Sequence, residues 1–194
     1  MLGRLREKYE HAMAPAGQFL GKIGLTPNAI TAISLLTSVL SFWFYYQKSL
    51  VLGALFIVLT GFIDMLDGAV ARATGKATRF GAVLDHVLDR YAEYLIIVGI
   101  VLGGYVDWMW GVFALIGMLM ASFTRAKAES VGGLKSCTVG IAERQEKLIM
   151  IIAGSLLTLY FTQALLYAII VVGIISHFTV AQRLEYTWKQ TRSK

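Results

Sequence analysis

The sequence predicts an all-α integral membrane protein in which six transmembrane helices follow an N-terminal interfacial amphipathic helix. Composition and the arrangement of the apolar residues both predict this fold. Of 194 residues, 57% are hydrophobic and only 15% are charged, which is far more apolar than a soluble domain. The apolar residues form continuous runs, and about 20 such residues cross a bilayer as a helix. A soluble enzyme and a disordered chain are therefore excluded.

The N-terminal segment, residues 1–24, predicts a juxtamembrane amphipathic helix. Its apolar residues recur at roughly helical spacing among basic ones: Leu2, Leu5, Tyr9, Met13 and Phe19. The remainder, residues 25–194, is predicted to form one six-span domain. The Thr26-Pro27-Asn28 turn starts the first span. The six spans are predicted at about residues 28–46, 50–71, 81–103, 108–128, 147–161 and 164–182.

The basic residues are distributed unevenly between the two sides of this predicted bundle. Of 18 Lys and Arg residues, all but two fall in the terminal segments and in the connections after spans two and four. The exceptions are Lys48, on the opposite side, and Arg90, inside the third span. Because cytoplasmic connections are rich in Lys and Arg, both termini are predicted to lie in the cytoplasm, with the protein in the cytoplasmic membrane. This sorting accounts for the formal charge of +6 without nucleic acid as a partner.

Four aspartates fall inside the predicted spans. Asp64 and Asp67 lie near the cytoplasmic end of span two, and Asp85 and Asp89 near the start of span three. Each such residue costs roughly 2.5 to 3.5 kcal/mol on insertion scales, so intramembrane carboxylates are expected to face a cavity. The members of each pair lie about 60° and about 40° apart around their helix. The short connection between the spans therefore predicts that the four carboxylates converge.

Converging carboxylates repel one another unless cations neutralise them. Hard oxygen ligands without suitably spaced Cys or His favour Mg²⁺ or Mn²⁺ over zinc. Gly68 lies beside Asp67 and would let a ligand approach the backbone, while Arg72 and Arg79 could hold phosphate groups. A divalent metal, glycines and basic residues together indicate a pyrophosphate site facing the cytoplasm.

The same residues carry a family resemblance. The pattern Asp64-x-x-Asp67-Gly68-x-x-Ala71-Arg72, eight residues, then Gly81-x-x-x-Asp85-x-x-x-Asp89 resembles the full signature of the CDP-alcohol phosphotransferase family. The resemblance implies a metal-dependent membrane transferase of phospholipid synthesis, with a CDP-lipid as donor, CMP as product and a homodimeric assembly.

The resemblance also implies roles for individual residues. Metal binding is implied for Asp64, Asp67, Asp85 and Asp89. Asp89 is in addition the implied catalytic residue, acting as general base on the acceptor hydroxyl. Contacts with the CDP-lipid are implied for Asn28, Thr31, Gly68, Arg72 and Thr78.

A second basic group predicts the type of acceptor. Five cations border the last two predicted spans and the connection before them: Arg125, Lys127, Arg144, Lys147 and Arg183. Acceptors without phosphate need no such group, so a phosphorylated polyol is expected, either inositol phosphate or glycerol phosphate. The local sequence resembles the family branch that makes phosphatidylinositol phosphate or archaetidylinositol phosphate, which implies inositol 1-phosphate as acceptor and these five residues as its phosphate site.

Two alternatives remain open from the residues alone. One is a phosphatidylglycerophosphate-type synthase, which uses glycerol 3-phosphate as acceptor. The other is a non-catalytic transporter whose intramembrane carboxylates conduct cations. Helix faces do not distinguish CDP-archaeol from CDP-diacylglycerol, because either lipid tail needs an apolar groove.

Overall fold

The computed structural model describes residues 6–192, with side chains from residue 12 onward. Within these residues the regular structure is entirely helical. The seven helices are α1 (Arg6–Lys22), α2 (Pro27–Tyr46), α3 (Leu50–Thr74), α4 (Arg79–Leu102), α5 (Trp108–Ser130), α6 (Arg144–Leu157) and α7 (Ala164–Thr191). The chain forms two compact units, residues 1–103 and 104–194. The first contains α1–α4 and the second α5–α7.

Side-chain caps set the start of several helices. Thr26 precedes α2 and accepts a hydrogen bond from the Ala29 amide, and Thr78 does the same for α4 through Gly81. Asp107 caps α5 in this way. These side chains satisfy amide groups that have no partner inside the helix. The caps therefore place the first turn of α2 and of α4 at defined residues, and both turns carry predicted site residues.

In the first unit, α2 packs against α3 and α4, and α1 packs against α3. Hydroxyl groups line the contact between α2 and α3: Ser34 donates to the Thr60 carbonyl, and Ser41 donates to the Gly53 carbonyl. Such bonds between small polar residues join helices where the bilayer offers no water. At the contact of α1 with α3, a Cβ on Gly17 would lie 2.7 Å from the Ala69 carbonyl carbon. Glycine therefore permits α1 to approach the helix that carries Asp64 and Asp67.

In the second unit, α7 packs against both α5 and α6. Gly173 lies against the Phe113 ring of α5, and Gly154 lies against Ala168. The His177 ring stacks on Phe113 with 4.6 Å between centroids. Small residues thus let these three helices approach closely, and α7 is the central helix of the unit.

Four of the described helices are long and apolar enough to cross a membrane: α2, α3, α5 and α7. The prediction of a helical, multi-pass membrane protein is confirmed at that level. The structure does not confirm the six predicted spans or the membrane-surface position of α1. Helix α4 carries five charged residues between Arg79 and Glu93, and α6 has only 14 residues, or about 21 Å.

The largest differences between the helix ends and the predicted spans lie in α3, α6 and α7. Helix α3 runs three residues beyond Ala71 and ends at Thr74, followed by Gly75, whose φ of 64° forms a left-handed cap. Helix α6 ends at Leu157 rather than residue 161. Helix α7 continues nine residues beyond Gln182, because its polar end contains no helix-breaking residue. The predicted positions of Leu2 and Leu5 lie outside the described residues, and the division into 1–24 and 25–194 stays a prediction.

Candidate metal and phosphate sites

Three of the four predicted carboxylates meet in the first unit. Oxygens of Asp64 and Asp67 on α3 and Asp85 on α4 all lie within 4.8 Å of one another. Asp67 is buried, with 9% of its surface exposed, and the other two are half-buried. Like charges at this separation repel strongly. A group of convergent carboxylate oxygens fits a hard divalent cation such as Mg²⁺ or Mn²⁺.

Asp89 lies outside this group of three. It is one helical turn beyond Asp85, and its Oδ2 lies 3.5 Å from Arg90 Nη2. The same Arg90 nitrogen lies 2.8 Å from Glu93 Oε1, and Glu93 is buried. Arg90 thus connects the two acids, which explains how a glutamate is accommodated inside α4.

The hydroxyl of Thr31 contacts a member of the carboxylate group. Its Oγ1 lies 2.8 Å from Asp67 Oδ2 and 3.1 Å from the Pro27 carbonyl. Both Thr31 and Asp67 are buried. The sequence reasoning placed Thr31 with the CDP-lipid contacts, and in the structure its hydroxyl hydrogen-bonds to Asp67, a carboxylate of the candidate metal site. Outer hydrogen bonds of this kind fix ligand orientation in metal sites.

The other predicted CDP-lipid contacts lie at the start of α2, at the start of α4 and on α3. A Cβ on Gly81 would lie 3.0 Å from Thr78 Oγ1 and 3.1 Å from Asn28 Oδ1, so the starts of α2 and α4 meet there. On α3, Arg72 Nη1 would lie 3.2 Å from a Cβ on Gly68. The structure therefore places Asn28 close to Thr78, and Arg72 close to Gly68. The Asn28, Thr78 and Arg72 side chains are exposed, and Gly68 is half-buried.

An open cavity of about 270 Å³ lies between α1 and α3. It is lined by Ala14, Gln18, Ala69, Arg72 and Ala73. Arg72 therefore borders α1 as well as Gly68. Helix α1 contributes to the surroundings of a predicted site residue, which its prediction as a membrane-surface helix did not anticipate.

The predicted phosphate-binding cations lie in the second unit, and two of them are buried. Arg183 on α7 donates from Nε to the Val139 carbonyl at 2.8 Å and from Nη1 to the Ala121 carbonyl. Lys147 is buried near the start of α6. Arg183 interacts electrostatically with Arg125 of α5, so the structure brings these two like charges into one neighbourhood.

The remaining two cations differ in their surroundings. Arg144 is half-buried in the first turn of α6, where the helix dipole disfavours a cation and favours an anion. Lys127 is exposed, and its Nζ lies 5.5 Å from the centroid of the Phe123 ring. Side chains that are two residues apart in a helix differ by about 200° around its axis, so Lys127 and Arg125 occupy opposite faces of α5. The structure does not group Lys127 with Arg125.

Sequence reasoning missed the part played by Glu129. Its Oε1 accepts hydrogen bonds from Arg125 Nε at 3.1 Å and from the Cys137 amide at 3.0 Å. The spacing of four between Arg125 and Glu129 is a sequence signal for the ion pair. The bond to Cys137 has no such signal, because it joins a helix to an irregular segment.

The fold and the carboxylate group define a class: a polytopic helical membrane protein with a site suited to a divalent cation. The comparisons with known proteins define its family. The family model described as CDP-alcohol phosphatidyltransferase matches residues 24–178. The chain therefore belongs to the CDP-alcohol phosphatidyltransferase family. This confirms the resemblance and decides in favour of an enzyme over a non-catalytic cation transporter.

Similar proteins span nearly the whole chain. The archaetidylinositol phosphate synthase of Pyrococcus horikoshii is 37% identical over 184 residues, which are 95% of each protein. The archaetidylinositol phosphate synthase of Methanothermobacter thermautotrophicus is 42% identical over 175 residues, covering 88% of this chain and 87% of that protein.

Solved structures show the same fold. The crystal structure of Mycobacterium tuberculosis phosphatidylinositol phosphate synthase with CDP-DAG bound has a TM-score of 0.81 and 30% sequence identity, covering 91% of this chain and 93% of that one. A second structure of that enzyme, in complex with manganese and citrate, has a TM-score of 0.80 at 29% identity and covers 91% of this chain and 88% of that one.

Proposed function

We propose that this enzyme transfers the phosphatidyl or archaetidyl group of a CDP-lipid to inositol 1-phosphate and releases CMP. The observation that carries this proposal is the meeting of Asp64, Asp67 and Asp85 oxygens within 4.8 Å, in a chain belonging to the CDP-alcohol phosphatidyltransferase family. The inositol phosphate acceptor is supported by the names of the relatives, which are inositol phosphate synthases.

The first unit holds the donor's nucleotide. Asp64, Asp67 and Asp85 would hold Mg²⁺ or Mn²⁺, which supplies neutralisation of the charge on the pyrophosphate. Manganese in a structurally similar enzyme supports this cofactor. The CDP moiety is bound by four residues of α2, α3 and the cap of α4: Asn28, Gly68, Arg72 and Thr78. Thr31 acts through Asp67, which it hydrogen-bonds.

Asp89 is the general base of the reaction. Its carboxylate takes the proton of the acceptor hydroxyl, and the hydroxyl oxygen attacks the phosphorus that carries the lipid. A new phosphorus–oxygen bond forms as the bond to CMP breaks, and CMP leaves with that electron pair. Arg90 Nη2 lies 3.5 Å from Asp89 Oδ2, so a cation lies beside the base. Positioning and charge stabilisation then supply most of the rate enhancement.

The second unit holds the acceptor. Arg125, Arg144 and Lys147 bind its phosphate through charge-assisted hydrogen bonds. Arg183 contributes its remaining nitrogen, since Nε and Nη1 are engaged by backbone carbonyls. Lys127 is also proposed to contact the acceptor phosphate. Its side chain would have to move away from the Phe123 ring to do so.

The membrane arrangement completes the proposal. Helices α4 and α6 add two spans to the four apolar ones, and α1 lies at the membrane surface. Both termini and the site face the cytoplasm, as the sorting of Lys and Arg favours. The protein acts in the cytoplasmic membrane as a homodimer. A cytoplasmic site lets water-soluble acceptors enter while the donor's tails remain in lipid.

A panel of acceptors tests the function. Purified enzyme with Mn²⁺ receives CDP-archaeol or CDP-diacylglycerol together with inositol 1-phosphate, glycerol 3-phosphate or unphosphorylated inositol, and CMP release is measured. The highest kcat/KM is expected with inositol 1-phosphate. Faster turnover of glycerol 3-phosphate would overturn the acceptor assignment, and turnover of free inositol at the same rate would overturn the phosphate site. The two donors report which lipid tail is used.

A further inference from the structure

The connection between α5 and α6, residues 131–143, is fastened at two neighbouring backbone positions. The Cys137 amide donates a hydrogen bond to Glu129 Oε1 at 3.0 Å. Two residues further on, the Val139 carbonyl accepts a hydrogen bond from Arg183 Nε at 2.8 Å. An acid at the end of α5 and a base on α7 therefore hold the middle of this irregular segment.

Packing strengthens this attachment. The Cys137 side chain is completely buried, although the segment has no regular helix or strand. A Cβ on Gly140 would lie 2.6 Å from Thr179 Cγ2 on α7, so the backbone passes close to that helix. The segment is thus held against α7 where Arg183 lies.

The Glu129 oxygen that accepts the hydrogen bond from the segment also contacts Arg125, one of the proposed phosphate ligands. Glu129 Oε1 accepts from Arg125 Nε at 3.1 Å, as well as from the Cys137 amide. Nε is the inner nitrogen of the guanidinium, and its engagement leaves the two terminal nitrogens to form the planar fork that recognises phosphate. An isolated, exposed pair of this spacing contributes little stability, but this one is coupled to the segment through one shared atom.

We propose that Glu129 is a positioning residue for acceptor binding. Its carboxylate couples the 131–143 segment to Arg125, so that one oxygen both attaches the segment and fixes the direction of the Arg125 guanidinium. Glu129 does not itself contact the acceptor phosphate, which it would repel. This inference rests on the proposed function, because it takes Arg125 as a ligand of the acceptor phosphate.

A kinetic comparison tests the coupling. Loss of a hydrogen bond to a charged group corresponds to about tenfold or more in affinity, so Glu129→Ala is expected to raise the KM for inositol 1-phosphate about tenfold. The KM for the CDP-lipid should stay within about twofold. Glu129→Gln keeps an oxygen that accepts both hydrogen bonds, and is expected to restore most of the acceptor affinity. An equal rise in both KM values would overturn the positioning role.

Glu185→Ala is the matched control. Glu185 and Lys189 form an exposed pair of the same spacing, with Lys189 Nζ 2.6 Å from Glu185 Oε1. Among the residues that the structure describes, Glu185 hydrogen-bonds to Lys189 of its own helix and not to an irregular segment. This variant removes an acid and an ion pair without touching the 131–143 segment, and its two KM values should match the unaltered enzyme.

The buried thiol provides a readout that does not depend on activity. Cys137 is the single cysteine of the chain, so the rate at which a water-soluble maleimide labels the purified, folded protein reports opening of the segment. Glu129→Ala is expected to label about tenfold faster than Glu129→Gln, because loss of the anchor lowers the free energy of local opening. Equal labelling rates would overturn the attachment.

The two readouts separate the possible failures. If the unaltered enzyme uses neither phosphorylated acceptor, the proposed function fails, while labelling still tests the attachment. If it turns over inositol 1-phosphate and Glu129→Ala leaves the acceptor KM unchanged, the inference fails and the proposed function stands. Thermal unfolding in detergent checks that Glu129→Ala remains folded, and Glu129→Gln provides the comparison if it does not.

Discussion

Thr31 Oγ1 lies 2.8 Å from Asp67 Oδ2, and this hydrogen bond joins α2 to the carboxylate group of α3 and α4. Both residues are buried, so the bond is not in competition with water. It orients the Asp67 carboxylate within the candidate metal site. Thr31 Oγ1 also lies 3.1 Å from the carbonyl oxygen of Pro27, four residues earlier, so Thr31 connects the first turn of α2 with the carboxylate group.

Replacement of Thr31 should weaken metal binding. Thr31→Val keeps the shape of the side chain but removes the donor, and loss of such an outer partner typically costs 10- to 100-fold in metal affinity or activity. We expect the Mn²⁺ concentration for half-maximal activity to rise about tenfold or more, with Thr31→Ser retaining most of the affinity. Metal titrations of CMP release measure this change.

Thr37→Val is the control for Thr31→Val. Thr37 lies on the same helix, and its hydroxyl contacts Thr60 Oγ1 at 2.9 Å rather than a site carboxylate. It should leave the metal dependence unchanged. An equal rise in both variants would indicate a general effect of altered α2 packing.

Replacement of Asp89 should remove the general base. Asp89→Asn is expected to lower kcat by about 10² or more, since a positioned base contributes about 10²- to 10⁴-fold. The variant should still fold and bind the CDP-lipid. Asp107→Asn is the matched control, because Asp107 caps α5 through the Met109 amide and asparagine caps equally well. A normal rate of CMP release by Asp89→Asn would exclude the general-base role.

Removal of divalent cations should abolish the activity. After treatment with EDTA, Mg²⁺ or Mn²⁺ is expected to restore CMP release, because the oxygens of Asp64, Asp67 and Asp85 form a hard ligand group. Asp85→Asn removes one charge and should shift the metal requirement upward. Restoration by Zn²⁺ but not by Mg²⁺ or Mn²⁺ would contradict the assignment of the site.

Lysine should not be able to replace Arg183 in acceptor binding. Its Nε and Nη1 hydrogen-bond two backbone carbonyls from different elements, and a single ammonium group does not reproduce that forked geometry. We expect both Arg183→Lys and Arg183→Ala to raise the acceptor KM about tenfold, as loss of a charged hydrogen bond does. The CDP-lipid KM should change much less. Full activity of Arg183→Lys would show that charge alone suffices.

Gly17 should be needed for α1 to pack on α3. Gly17→Leu places a side chain where Cβ would already lie 2.7 Å from the Ala69 carbonyl, and overpacking costs about 1–3 kcal/mol. Gly61→Leu is the control, because nothing lies within 4 Å of a Cβ at Gly61. Thermal unfolding in detergent is expected to show a lower midpoint for Gly17→Leu only. Equal midpoints would mean that this contact contributes no stability.

The sequence by itself determined the membrane class, most helix positions and three carboxylates that come together in the structure. Asp64 and Asp67, like Asp85, could be assigned because helical periodicity fixes which side chains share a face, and a short connection brings neighbouring helices together. Their cost in a bilayer also made them conspicuous. The family signature lies entirely within α3, α4 and the connection between them. The family it indicates is confirmed by the matching family model.

Only the tertiary structure decided which polar side chains form hydrogen bonds with other helices and connections. It joined Thr31 to Asp67 across 36 positions and Arg183 to Val139 across 44, and it set Asp89 apart with Arg90. The physical reason is that helical spacing is a local property of the chain, whereas a hydrogen bond between distant elements depends on which faces pack together and on the path of the connecting segment.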